Sequence, residues 1–429
     1  MLVQFAVTNY MSFREEAVLS LLAAKRKSKD KDLDTDSTFD TPFGLKLLKT
    51  AVIYGANASG KSNIFKAMRF MKNFVINSSK ESQQDEEIDT SPFLLNTATA
   101  SAPSKFSAIF IKNGTLYEYS FATTKEKITE ESLKIKNNIE EREKILFSRN
   151  HDKITVTKLF PEGKGLEKRT RDNALFLSVC ANFDGNVSAS VISWFKSVRV
   201  VSGIADAGML SFTSKKLKNA ESNEKILNLL ESFDVGISKI KINEVSEESL
   251  PGPVREFRAM FEKSLGANMK LEMDLGQIIT EHKVYDDNDG IVGNIDFNLD
   301  KHESEGTKKL VAMSGPIIEA LEKSLILFID ELDARLHPLL SLQLLKLFNC
   351  SHKNTNNAQL ITATHSTNLL DKDILRRDQI WLTSKNMPGE STITSLVEYR
   401  VRNDASFEKD YLLGKYGAIP LVNELDHLF

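Results

Sequence analysis

Cysteine is nearly absent: Cys180 and Cys350 are the two thiols in 429 residues. Two cannot build a disulfide framework or a structural zinc site, so the expected setting is a reducing compartment, with both cysteines as small buried hydrophobes. Long apolar runs are missing as well. No stretch approaches the ~18 residues that span a bilayer, and the opening MLVQFAVTNYMSF has no basic leader, apolar core or small-residue cleavage site. The expectation is a cytoplasmic protein with no membrane partner. Net charge of either sign is also lacking: 56 Lys and Arg against 59 Asp and Glu leave −3, so any basic surface is local. Sustained heptads, internal repeats and low-complexity tracts are absent, which excludes a long coiled coil or a solenoid.

What is present is an ordinary globular balance, 41% hydrophobic and 27% charged, in a chain long enough for roughly two or three lobes. MLVQFAVTNYMSF alternates like a strand, EEAVLSLLA reads as a strand or short helix, and KRKSKDKDLDTD as a solvated loop. Two alternating runs between Lys105 and Leu133 are joined by Asn113-Gly114, the signal of a tight antiparallel hairpin. Helical patterns such as ESNEKILNLLESF and GPVREFRAMFEKSL then suggest a compact, mainly helical insertion over 135–270. Strand signals return at GQIITEHKVYD and NIDFNL, followed by a helical SEGTKKLVAMSGPIIEALEKS that Gly315-Pro316 should kink or interrupt. AQLITATHS, QIWLTSK and STITSLVEY complete the strand pattern. The expected division is 1–134, the insertion 135–270, and 271–429.

Three motifs carry chemistry. Gly55, Ala56, Asn57, Ala58, Ser59, Gly60, Lys61 and Ser62 satisfy GxxxxGK[ST], with the strand KTAVIY before and a helix after. Glycines let backbone N–H groups curl around an anion at the helix N-terminus, Lys61 reaches β and γ phosphates, and Ser62 offers a hydroxyl to Mg²⁺. The turn suits a triphosphate. Leu325 to Ile329 form a continuous apolar run ending in Asp330-Glu331, so a buried strand delivers two carboxylates at its C-terminal edge, Asp330 for the metal shell and Glu331 to polarise an attacking water. A further strand, Leu360 to Thr364, ends in His365, whose imidazole could bond a γ-phosphate. Ahead of the acidic strand, Ser304 and Gly306 open a helix; they make either a second anion surface or a plain helix cap.

The order of phosphate loop, serine-glycine turn, acidic strand, Asp333 and strand-terminal histidine resembles that of ABC-type ATPases, in the branch of RecF, the SMC proteins and the OLD-family ATPases. GANASGKS, NYMSF at 9–13 and DELDARLHP at 330–338 carry the resemblance over roughly 1–133 and 270–429. PFLLN, LYEYSF, THSTNLLD and YLLGKYGAIP at 411–420 look further like the AbiL/RloA-type ATPases of bacterial abortive-infection systems, with the AriA ATPase as a near relative. The resemblance implies an α/β fold: an ABC-type head with a mixed sheet, flanking helices and an antiparallel β subdomain, carrying an inserted, largely helical subdomain. It implies ATP and Mg²⁺ as cofactors, a homodimer or higher homo-oligomer, and a separately encoded effector, nuclease or toxin, with DNA or a phage-derived molecule as trigger. Carried over by residue, it puts Lys61, Ser62 and Asp330 on phosphate and metal, Glu331 as general base, and His365 as γ-phosphate sensor. Ser304 and Gly306 then face the partner's γ-phosphate, and Asp333 belongs to the dimer-coupling loop.

Departures are visible. The signature turn reads SEGTK, so Glu305 brings a negative charge toward an incoming phosphate, and no glutamine loop is evident beyond the polar Gln83 and Gln84. Two other readings compete. A RecF-like DNA-binding ATPase has KGLEKRTR at 164–171 as its local hint. A self-contained OLD-type nuclease would need a Toprim domain, for which residues 366–429 are short.

Overall fold

The computed structural model describes residues 1–25, 31–81, 86–138, 140–204, 206–243, 276–401 and 405–420. Gln83, Gln84, the helical pattern at 252–265 and the last nine residues of the tail lie outside them. Two compact units emerge: Met1–Gly203 with Ala320–Asp333 and Ser341–Phe429, and Ile204–Glu319 with Ala334–Leu340.

Eighteen strands are described. In chain order the first ten are β1 (Leu2–Thr8), β2 (Ala17–Ser20), β3 (Thr38–Asp40), β4 (Lys46–Leu48), β5 (Thr50–Gly55), β6 (Ser104–Lys112), β7 (Thr115–Thr123), β8 (Ile128–Lys136), β9 (Lys144–Asn150) and β10 (Lys153–Val156). The rest are β11 (Val198–Ser202), β12 (Ile237–Asn243), β13 (Gln277–Tyr285), β14 (Ile291–Asn298), β15 (Ile326–Asp330), β16 (Gln359–Ala363), β17 (Ile380–Lys385) and β18 (Ser391–Ser395).

The first unit holds a seven-stranded antiparallel sheet, β10-β9-β8-β7-β6-β1-β2, and a six-stranded sheet, β11-β15-β16-β5-β17-β18, which is parallel except at β18. Period-two patterning builds the first: Phe106, Ala108 and Phe110 on β6 and Tyr117, Tyr119 and Phe121 on β7 are buried, with Asn113 and Gly114 at φ 49° and 72° in the turn between them. The central strands of the second are covered on both faces, and every residue of β5 and β16 is buried. Helix Lys61–Glu81 lies between the two. Its Phe65 meets Phe328 of β15 edge-on at 5.8 Å, while Phe70 and Phe74 meet Phe106 and Phe121 at 4.9 and 5.6 Å. Phe65 is buried and contributes up to about 3 kcal/mol, with the partly buried Phe70 and Phe74 adding to it, so the helix that begins at the phosphate loop is firmly seated.

The second unit contains the antiparallel β12-β13-β14 sheet and helices Asp206–Leu217 and Ala220–Glu231. One expectation is corrected here and two in the first unit. Residues 135–203 do not belong to a helical insertion: β9 and β10 extend the antiparallel sheet and β11 pairs in parallel with β15. Their apolar residues serve two different sheets, so no single period marks them. Helix Glu305–Lys323 runs unbroken through Pro316. Proline removes the N–H that would reach Ala312 O, and Thr213 Oγ1 donates to that carbonyl instead at 2.8 Å; Gly315 makes the approach possible, since a Cβ there would stand 2.4 Å from Thr213 Oγ1. Cys180 is buried as expected, but Cys350 is partly exposed. Among the described residues no helix is long and apolar enough to cross a membrane.

Candidate functional site

β5, β15 and β16 are parallel neighbours, so the ends of all three strands reach the same sheet edge. Between β5 and helix Lys61–Glu81 the chain makes a tight turn in which Gly60 and Ala58 have φ of 107° and 61°. Space dictates glycine as much as conformation does. A Cβ on Gly55 would stand 2.3 Å from Thr383 Oγ1, and one on Gly60 2.5 Å from Ser391 Oγ. Thr383 on β17 also bonds Ser59 Oγ at 2.6 Å and donates to Tyr54 O at 3.2 Å, so this strand buttresses the loop from behind. Asn63 Nδ2 donates to Ser12 Oγ at 2.6 Å, which ties NYMSF to the same structure.

Lys61 is buried, and its ammonium donates to Gly55 O at 2.8 Å and Ala56 O at 3.0 Å. Burial lowers its pKa from the usual lysine value, while the carboxylates of Asp330, Glu331 and Asp333 pull it back up. The acidic strand end therefore lies within electrostatic reach of the loop. Asp330 closes β15, and its Oδ1 is buried without a hydrogen-bond partner among the described residues. Such an orphan costs roughly 1–3 kcal/mol, and at the end of a strand beside the loop it is an oxygen available to a cation or water. Glu331 follows in the left-handed region at φ 56°, a strained setting for a side chain and a frequent mark of functional positions. Asp333 Oδ2 accepts the backbone N–H of His365 at 3.1 Å, and its Oδ1 is a second buried orphan. His365 itself is exposed at the end of β16.

A triphosphate with Mg²⁺ fits this set. The Gly55 and Gly60 cradle admits backbone approach, Lys61 supplies charge, and the unpartnered Asp330 oxygen with the half-buried Ser62 hydroxyl is a sparse donor set. Magnesium characteristically takes one or two protein oxygens and completes its shell with water and phosphate. No cluster of three or more His, Cys, Asp or Glu able to hold a metal alone occurs among the described residues.

Residues 55–62, Asp330, Glu331, Asp333 and His365 thus gather in the first unit, while Ser304 and Gly306 belong to the second. Ser304 Oγ accepts from Thr307 N at 3.1 Å, the geometry of a helix cap. The Glu305 charge is not bare, as the sequence suggested. Lys308 Nζ at 2.8 Å and Arg335 Nη1 at 3.0 Å neutralise it, and these two hold its carboxyl below the usual range. Sequence reasoning missed Thr383, Ser391 and Gly203. The last donates its N–H to Asp330 O at 2.6 Å, and no local pattern marks it.

Residues 51–371 match the AAA_21 family, described as "AAA domain, putative AbiEii toxin, Type IV TA system". The chain belongs to this family. Among solved structures, this AAA-domain chain is similar to the SMC head domain from Thermotoga maritima at 14% identity, over 92% of this chain and 98% of that one, with a TM-score of 0.41. An SMC head bound to the C-terminal winged-helix domain of ScpA is similar at 13% identity, over 96% and 99% of the two chains, with a TM-score of 0.41. A third, an SMC head with an extended coiled coil bound to a ScpA domain derived from Pyrococcus furiosus, shows 12% identity over 97% and 98%, with a TM-score of 0.32. No curated protein matches the chain.

Proposed function

We propose that this chain is the ATP-binding and ATP-hydrolysing regulatory subunit of an anti-phage defence system of the AbiL/RloA type. It closes as a homodimer on ATP in the cytoplasm and controls a separately encoded effector, a nuclease or toxin, in response to DNA or a phage-derived trigger. The observation that carries the ATPase reading is the convergence of Lys61 with Asp330, Glu331 and Asp333 at one sheet edge, with Asp330 Oδ1 buried and unpartnered. The defence reading is supported by the family description, which names an AbiEii toxin, and by the resemblance of PFLLN and YLLGKYGAIP to AbiL/RloA-type sequences.

In this reading the N–H groups of the 55–60 turn and Lys61 bind the β and γ phosphates. Ser62 and Asp330 would hold Mg²⁺, which when bound would supply positive charge against the phosphate oxygens. Glu331 orients and polarises the attacking water, and His365, fixed through its backbone by Asp333, senses the γ-phosphate. Ser304 and Gly306 meet the γ-phosphate of the opposite copy. Replacing Glu331 with Gln should trap an ATP-bound dimer by light scattering, and Lys61→Ala should abolish nucleotide binding. A Glu331→Gln protein that stays monomeric at saturating ATP ends this reading. Purification with the products of neighbouring genes, with and without ATP, identifies the effector.

A further inference from the structure

Glu305 is the first residue of helix Glu305–Lys323, and its carboxylate is shared between two cations. Oε1 accepts from Lys308 Nζ at 2.8 Å and Oε2 from Arg335 Nη1 at 3.0 Å. Arg335 adopts φ 63°, and its Nη2 reaches Asp206 Oδ2 at 2.5 Å and donates to Ile204 O at 3.0 Å. The guanidinium is therefore anchored from one side by Asp206 and Ile204, with its other edge turned to Glu305. Ser304 Oγ lies one residue away, exposed, and the carbonyl of Arg335 is 3.2 Å from where a Gly306 side chain would begin.

A fork of arginine N–H groups and a lysine ammonium on one oxyanion is the kind of cation pair that binds phosphate, and here Glu305 supplies the oxyanion, while the neighbouring Ser304 Oγ is engaged with Thr307. The Glu305 side chain is 60% exposed, so it can swing away without a buried charge being left behind. The exposed ion pairs holding it are individually weak. Arg335 keeps Asp206 as an anchor when Glu305 leaves, so its free edge stays aimed.

We propose that Glu305 is an internal counterion that occupies Arg335 and Lys308 until the γ-phosphate presented by the second copy displaces it, Arg335 then becoming a ligand of that phosphate. This rests on the ATP-closed dimer proposed above. Closure is thereby gated: a nucleotide lacking the γ-phosphate offers too little charge to displace the carboxylate.

The test is dimerisation of the full chain as a function of Mg-ATP, by light scattering in a Glu331→Gln background. Adding Glu305→Gln is expected to lower the ATP concentration for half-dimerisation roughly three- to tenfold, the scale of two exposed ion pairs. Arg335→Gln added to both should erase that gain, and about 1 M salt should shrink it. Thermal unfolding of each variant checks that the fold is kept. If the Glu331→Gln parent dimerises but Glu305→Gln needs as much ATP or more, or if its gain survives Arg335→Gln, this inference is overturned alone. A parent that never dimerises overturns the dimer reading and this inference with it.

Discussion

Gly203 offers the sharpest test of how the acidic strand end is positioned. It follows β11, donates to Asp330 O, and has no room for a side chain: a Cβ there would stand 2.0 Å from Glu331 O and 2.5 Å from Asp330 O. Carbon and oxygen need roughly 3.3 Å, so Gly203→Ala forces a shift of more than about 1 Å in backbone that carries both acidic residues. Overpacking of this kind costs about 1–3 kcal/mol, and a displacement of about 1 Å at a catalytic group costs on the order of 100-fold in rate. ATP turnover should fall about that much, with the melting temperature lowered by a few degrees. Nucleotide affinity, set by β5 and its loop, should change far less. Fluorescent-nucleotide titration alongside a phosphate-release assay separates the two effects. Gly208, with nothing within 4 Å of its added Cβ, is the control and should tolerate alanine. Full turnover and an unchanged melting temperature in Gly203→Ala would refute the account.

Two further outcomes follow from buried chemistry. Thr213→Val should destabilise the chain by roughly 1–3 kcal/mol because Ala312 O loses the donor that replaces the missing N–H, and in a Pro316→Ala background the cost should drop by about 1 kcal/mol because residue 316 regains an N–H; equal costs in both backgrounds by denaturant unfolding would disprove the role given to Thr213. Lys72 is lowered to about 8 by burial, with Arg199 and Arg69 adding to it. The unfolded chain holds this proton up to about 10.4, so the unfolded state binds more protons between the two values and stability rises with pH across that window, the full penalty applying below it. Lys72→Met should remove the penalty, raising stability at pH 7 by roughly 1–2 kcal/mol once solvent screening is discounted, and should flatten the rise between pH 8 and 10; a denaturant midpoint that does not move at pH 7 counts against it.

The readable features were those written in one stretch of chain. Asn113-Gly114 marks its hairpin because left-handed φ at two successive positions is a local demand. Leu325 to Ile329 mark a central strand because covering on both faces requires an unbroken apolar run, and the phosphate loop is legible because its glycines and Lys61 answer to adjacent backbone. β9, β10 and β11 were not readable as parts of the first unit, since which sheet a short strand joins depends on partners far away in sequence.

By itself, the sequence therefore determined the local units: the loop at 55–62, the acidic strand end at 330–331, the histidine at 365 and the helix capped by Ser304. Tertiary structure alone decided that Thr383 and Ser391 would fill the space behind the glycines, that Gly203 would press on Asp330, that Thr213 would mend the gap at Pro316, and that Glu305 would face Arg335. The physical reason is one of range. Backbone conformation and apolar period act over a few residues, whereas close approach, orphaned polar atoms and ion pairing exist only once distant segments have been packed together.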